Sequence, residues 1–491
     1  MSQGDSIPEG TSYPSFWLTI RHVCQLWRNI ALSVPQLSSW IVTTHPECVE
    51  DMLHLSGNSS LHLISAPQSA DIAHSFAAYS CALAQSHRFT RATFRLSREL
   101  MMTLPWAVPI ETIDLSALEQ LNIGLPDRHY TTRYRRLLTD ITFPALRCFA
   151  LRGGDIQFCR SVLSAQLQHL SLRFLYRLSP HQLATSLEGL QNLNTLVIQD
   201  MLLRDDHDDL NSAAWIPRQH IIFPSLRRLS VTDAHPGSLF RFFAHIVYPA
   251  DTHVTVGDRF VAPLLPSSVI SETLLPKLCG ATLLGSMPII RRVTVEVDDR
   301  LSTRHSVKAW AAPLGHAGEQ SALHPMQLEP LLELVVYSPM DLKDAITEVM
   351  SGLSLSTVTD LHISDAVLSR HAWKALPRVL PALQTVSVVG TGPALALPGV
   401  LPQPGLAHLR SLRYDLSWAE TPFRPFNDLV GALIQHNSRR EGPLEALTVV
   451  LSPEHYVSTA LREKIENLSH GVVRSIRFAS AANGLWLTSK N

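Results

Sequence analysis

Leu167-Gln168-His169-Leu170-Ser171-Leu172 spaces three apolar side chains three and then two residues apart, and this short phrase decides the fold because it returns along the chain. Its apolar positions recur as Ile110, Ile113 and Leu115, as Leu146, Phe149 and Leu151, as Leu193, Leu196 and Ile198, and as Leu226, Leu229 and Val231. They continue as Ile290, Val293 and Val295, as Leu331, Leu334 and Val336, as Val358, Leu361 and Ile363, and as Leu383, Val386 and Val388. The last three are Leu409, Leu412 and Tyr414, then Leu444, Leu447 and Val449, then Val473, Ile476 and Phe478. Twelve occurrences are hard to explain by chance. Side chains alternate across a strand, so each phrase reads as a strand with one apolar face.

The intervals define the unit. Residue 193 follows 167 by 26 residues, 383 follows 358 by 25 and 409 follows 383 by 26. A period of about 20 to 29 residues is that of leucine-rich repeats. Helical segments are expected between strands at residues 180–190, 237–247, 340–353, 370–380, 426–437 and 454–468. No such unit buries its apolar side alone, so neighbours must stack. The expected fold class is therefore α/β, a leucine-rich-repeat-like curved solenoid. The unit from Leu167 to Leu193 resembles the cysteine-containing leucine-rich repeats, with Leu175 where those commonly carry cysteine or asparagine.

At the other end of the chain, residues 14–40 read PSFWLTIRHVCQLWRNIALSVPQLSSW. Phe16, Ile20, Val23, Cys24, Trp27, Ile30 and Ala31 follow the three-and-four spacing of one helix face, and Pro35 stops the pattern. Val23-Cys24, Trp27-Arg28, Ile30-Ala31-Leu32, Pro35 and Leu37 resemble, in order, the end of the F-box of fungal F-box-like proteins. Ser38 stands where that family usually has tryptophan, and the preceding F-box helix is reduced to Ile7-Pro8-Glu9, so the N-terminal half of the F-box reads as truncated. The helix, turn and strand expected over residues 49–64 are similar to a stretch that follows the F-box in the same proteins. The resemblance implies that Trp17, Ile20, Val23, Trp27, Ile30, Pro35 and Leu37 contact a Skp-type adaptor of a cullin ubiquitin ligase or support that contact.

The expected division is a disordered segment 1–13, a partial F-box-like segment 14–65, a helical linker 66–109 and the repeats over 110–491. Insertions are expected near 249–289, where residues 252–256 suggest an additional strand, and at 301–327, which carries Pro313, Gly315, Gly318 and Pro325.

A net charge of -1 over 491 residues gives no general pull on nucleic acid or acidic membrane. No apolar run of about 18 residues spans a bilayer, and residues 1–15 are too polar for a secretory signal. The six cysteines form no C-x-x-C pair and show no zinc-type histidine spacing, so buried thiols in a reducing, intracellular compartment are expected. The Asp205-Asp206-His207-Asp208-Asp209 run reads as a solvated loop, and no metal or cofactor is expected. Gly390-Thr391-Gly392 lacks the third glycine of a dinucleotide loop, and there is no P-loop or G-x-S-x-G elbow. The chain is not expected to be an enzyme.

The repeats offer a binding face instead. If the apolar residues point inward, Arg152, His169, Arg173, Arg228 and Arg292 lie on neighbouring strands of the opposite, concave face, followed by Glu333, Asp360, His362, Arg413 and Asp415 on later strands. Guanidinium groups suit acidic or phosphorylated segments. The function expected is substrate recognition for a Skp/cullin/F-box ubiquitin ligase. The alternative is a leucine-rich-repeat interaction scaffold whose F-box no longer reaches a ligase.

Overall fold

The computed structural model describes residues 24–65, 72–95, 113–125, 141–153, 156–159, 162–174, 180–199, 220–232, 242–243, 245–249, 252–258, 290–298, 304–311, 332–337, 355–364, 370–402, 406, 408–439, 443–456, 458–480 and 486–489. The chain divides into two compact units, Met1–Leu178 with Gln182–Met201, and Ser179–His181 with Leu202–Asn491. Both mix helix and strand, and the α/β class is as expected. The expected boundaries at 65 and 109 do not coincide with this division.

In the first unit, helix α1 (Gln25–Ser33) is followed by a 3-10 turn, Pro35–Ser38, and strand β1 (Trp40–Val42). Helix α2 (Pro46–Leu55), β2 (Leu61–Ile64), helix α3 (Ile72–Leu83) and β3 (Phe89–Arg95) come next. Then follow β4 (Gln120–Gly124), β5 (Cys148–Arg152), β6 (His169–Arg173), helix α4 (Pro180–Ser186), whose first residues belong to the other unit, and β7 (Thr195–Gln199). Each strand from β1 to β7 pairs in parallel with the next in sequence. Burial alternates along them. Leu121, Ile123, Phe149, Leu151, Leu170, Leu172, Leu196 and Ile198 are buried, and the residues between them reach solvent. Full burial of each such side chain is worth roughly 1.5–3 kcal/mol.

A tight turn opens each strand, with the Leu146 amide bonding to Phe143 carbonyl, Leu167 to Ser164 and Leu193 to Leu190. Its counterpart before β4 bonds Leu118 to Leu115 at 3.1 Å. This corrects the first strand phrase. Leu115 belongs to the entry turn, and the strand phrase is Leu118, Leu121 and Ile123 rather than Ile110, Ile113 and Leu115. The supposed linker also contains β3, whose Phe89, Ala92 and Phe94 are buried in the same pattern.

In the second unit, β8 (Ile221–Ile222) and β10 (Ile246–Val247) form a separate parallel pair around β9 (Arg228–Thr232) in sequence. β11 (His253–Asp258), β12 (Ile290–Asp298), β13 (Arg304–Ala311), β14 (Leu332–Tyr337) and β15 (Asp360–Ser364) follow. Next come α5 (Arg370–Val379), β16 (Thr385–Val389), α6 (Thr391–Ala396), β17 (Ser411–Asp415), α7 (Phe423–Arg439) and β18 (Leu444–Leu451). Helices α8 (Pro453–Tyr456) and α9 (Thr459–Ser469), then β19 (Val473–Ser480) and β20 (Trp486–Ser489), complete the elements. β9, β11 and β14 are parallel, and β14, β13 and β12 run antiparallel. β12 and β15 through β19 are again parallel, with β20 antiparallel to β19. The segment expected as a flexible insertion at 301–327 thus includes a paired strand, β13. The additional strand expected near 252–256 is β11. Trp373, Leu429 and Leu433 are buried in the core, as is Tyr414, whose hydroxyl donates to the Ala394 carbonyl at 2.9 Å.

The expected helix at 340–353 and the Asp205–Asp209 run lie outside the described residues. Among the described cysteines all are free, but only Cys159 is buried, whereas Cys24 and Cys48 are exposed. Among the described residues no helix is long and apolar enough to cross a membrane.

Candidate functional site

Two surfaces carry the residues singled out by sequence, the first of them on α1. Cys24 contributes the carbonyl of the first helical bond, to the Arg28 amide at 3.0 Å, but its own backbone is extended at φ -160° and ψ 169°. A continuous helix from Phe16 to Ala31 is therefore not formed, and the described helix starts at Gln25. Its end is as the sequence demands, because Pro35 forces Val34 out of helical geometry, to φ -109° and ψ 95°.

Helix α1 leaves its large apolar side chains in solvent. Leu26 is 67% exposed, Trp27 50%, Ile30 44% and Leu32 39%. At 3.6 residues per turn, Leu26, Trp27 and Ile30 fall within an arc of about 100° on one side of the helix. Trp27 and Ile30 were expected here, and Leu26 was not, although its four-residue spacing to Ile30 carries the signal. Pro35 and Leu37 are half-buried in the turn that follows. Trp17, Ile20 and Val23 lie outside the described residues.

The second surface is the open face of the β1–β7 sheet. Pairing sets Trp40, His62, Arg91, Gln120, Cys148, His169 and Thr195 in one row across it. A row four residues further along aligns Gly124, Arg152, Arg173 and Gln199. Arg152 and Arg173 are held in place by the backbone around Gly153, whose amide donates to the Arg173 carbonyl at 2.8 Å, while the Leu125 amide donates to the Arg152 carbonyl at 2.7 Å. Gly153 has φ +79°, and an added Cβ would lie 2.6 Å from the Leu125 carbonyl oxygen, so glycine is required. The Arg152 guanidinium sits 5.0 Å from the centroid of Phe174, a residue at φ +54°.

No carboxylate occupies the outward positions of β4 to β7. The face is therefore basic. Burial, and then Arg91, hold the His62 imidazole below its ordinary pKa, and burial does the same to His169. Burial raises the Cys148 thiol although Arg91 pulls the other way, so it is not an activated nucleophile. The Trp40 ring meets His62 edge-on at 4.5 Å. Arg91 was missed because Ala92 interrupts the run of large apolar residues that identifies the other strands, and His62 was missed although the strand carrying it, between Leu61 and Leu63, was expected.

Arg228 and Arg292 lie in the second unit. Arg228 is on β9 in the second unit, opposite His253, whose pKa is lowered to about 4 by burial and then by Arg228. Arg292 is on β12, opposite Asp360, and β11, β14 and β13 separate it from Arg228. Of the five basic residues expected on neighbouring strands, Arg152, His169 and Arg173 share the face in the first unit, which also carries Arg91, whereas Arg228 and Arg292 are not on neighbouring strands of the second unit. Of the later positions, His362 bonds through Nδ1 to Ser387 Oγ at 2.9 Å. Asp415 is buried and accepts from the Ser417 and Gly390 amides.

Among the described residues, no three histidine, cysteine or acidic side chains form a metal-binding group. Compared with known proteins, the chain matches no family model and no curated protein sequence.

Proposed function

We propose that this chain is an F-box-like, leucine-rich-repeat adaptor, in which α1 docks on a Skp-type subunit of a cullin ubiquitin ligase and the open sheet face holds the protein to be ubiquitinated. The single observation that carries this reading is the solvent-exposed cluster of Leu26, Trp27 and Ile30 on the helix whose sequence resembles an F-box. A helix serving only to cap a core would turn these side chains inward. The alternative scaffold function gives them no partner.

The repeat reading is supported by strands that pair in parallel in sequence order, with entry turns of one kind. Such an arrangement is what stacked strand-and-helix units produce. The basic face favours an acidic or phosphorylated segment of the substrate, held by Arg152 and Arg173 with Arg91 and His169 nearby. Ubiquitin transfer belongs to the partner subunits, and the chain acts inside the cell.

Copurification of the intact chain with the Skp-type subunit of its own organism tests this function. Retention by wild type and loss in a folded Trp27→Ala, Ile30→Ala variant is the expected result. A folded wild-type chain that retains none of the subunit refutes it.

A further inference from the structure

The open face of the first unit carries a histidine in line with one of its arginines. His169 and Arg173 occupy the two ends of β6 and point the same way, because residues four apart lie on one side of a strand. Ser171 stands between them, and the buried Leu170 and Leu172 face the other way. At about 3.3 Å per residue the two positions are roughly 13 Å apart, the length of four residues of an extended peptide laid along the strand.

The flanking strands give this imidazole no carboxylate. Cys148 lies directly opposite on β5, with Arg147 before it, and Thr195 lies opposite on β7. Glu119 precedes β4, two strands away, and acts on the Cys148 thiol, which burial keeps protonated. On β6 itself the charged outward neighbour is Arg173, with Arg152 opposite that residue. Partial burial holds His169 below its ordinary pKa, so the free protein carries it neutral at pH 7. An anion beside the ring reverses this, since a nearby opposite charge favours the charged form. By linkage, what the anion adds to proton affinity the proton adds to anion affinity.

We propose that the open face holds a carboxylate-rich extended segment more tightly in mild acid, with one carboxylate on Arg173 and another, four residues along, on the protonated ring of His169. Such regulation rests on the anion-binding face proposed above. A phosphorylated segment responds less, because its phosphate sheds charge around pH 6, in the interval where the imidazole gains it. His62 does not share the role. Its Nδ1 is buried without a hydrogen-bond partner and Arg91 lies opposite, and both oppose a further positive charge.

Fluorescence titration of the full chain with a labelled polyaspartate peptide, at pH 7.5 and 5.5 and constant ionic strength, tests the proposal. Aspartate has a pKa of about 3.9, so the peptide stays ionised at both. Wild type and His54→Asn, altered on α2 rather than on the sheet, should bind roughly fivefold more tightly at pH 5.5, as a rise of about one unit in the imidazole pKa on binding gives. His169→Gln should match them at pH 7.5 and lose most of that gain, and any gain it keeps measures the other histidines, of which the chain has 23 in all. A gain in His169→Gln equal to that of wild type, or peptide bound equally at both pH values by wild type, overturns the proposal and leaves the basic face standing. Peptide bound at neither pH removes the face itself, and the proposal with it.

Discussion

Arg152 and Arg173 stand directly opposite each other on adjacent parallel strands, with Gly124 beside them in the row on one side and Gln199 on the other. Adjacent strands are about 4.8 Å apart, so the two guanidinium groups can converge on one carboxylate or phosphate group. Replacing either arginine by alanine should weaken binding of a phosphorylated or polyacidic peptide by roughly tenfold or more, since a hydrogen bond to a charged group is worth about 1.5–3 kcal/mol. Binding of the same peptide should also decline with salt. Fluorescence titration of both variants at two ionic strengths checks this, and affinity unaffected by either change would remove the arginines from the site.

Gly153 sets that pair in register. Gly153→Ala must adopt a left-handed backbone and also relieve a 2.6 Å approach to Leu125 oxygen, whereas Gly189→Ala at φ +91° meets nothing within 4 Å. Backbone strain of this kind costs of order 1–3 kcal/mol. Denaturant unfolding should therefore show the larger loss for Gly153→Ala, and the steric clash accounts for the difference.

The corrected position of β4 gives a second stability test. Leu121 is buried on β4 beneath the entry turn that starts at Leu115, while Ile113 is only half-buried before it. Leu121→Ala should cost about 2–5 kcal/mol, and Ile113→Ala distinctly less. Similar losses from both would restore the register read from sequence.

The second unit should lose stability in mild acid through His253. Its folded pKa, about 4, lies below the ordinary value of 6.5. The unfolded chain therefore binds more protons in this window, and the stabilisation is present above pH 6.5 and lost as pH falls toward 4. His253→Asn should flatten the stability profile between those values, measured by urea unfolding at a series of pH values. An unchanged slope would show that other groups dominate.

Much of this architecture is legible in the sequence because a strand with one buried face writes its period directly into the chain. Leu167, Leu170 and Leu172 are examples, and all three are buried. β3 escapes notice because Ala92, buried between Phe89 and Phe94 in sequence, does not stand out as a large apolar residue. The order of strands is less accessible. The antiparallel run of β12, β13 and β14 places β14 beside β11 and β15 beside β12, so Arg228 and Arg292 are not neighbours although their phrases are consecutive. Pairing across a sheet is decided by distant segments, and local periodicity does not encode it. The exposure of α1 is similarly hidden, because the same three-and-four spacing serves a helix that packs inward and one that leaves its apolar side chains in solvent.

The measurement that bears most directly on the adaptor function is the dissociation constant of the intact chain for the Skp-type subunit of its own organism, for wild type, Trp27→Ala and Arg173→Ala. Trp27→Ala should weaken binding roughly thirtyfold, as expected for an interface residue worth about 2 kcal/mol, with its unfolding midpoint unchanged, and Arg173→Ala should leave the affinity as it is. A folded wild-type chain with no measurable affinity, or a Trp27→Ala variant that binds as tightly as wild type, would contradict it.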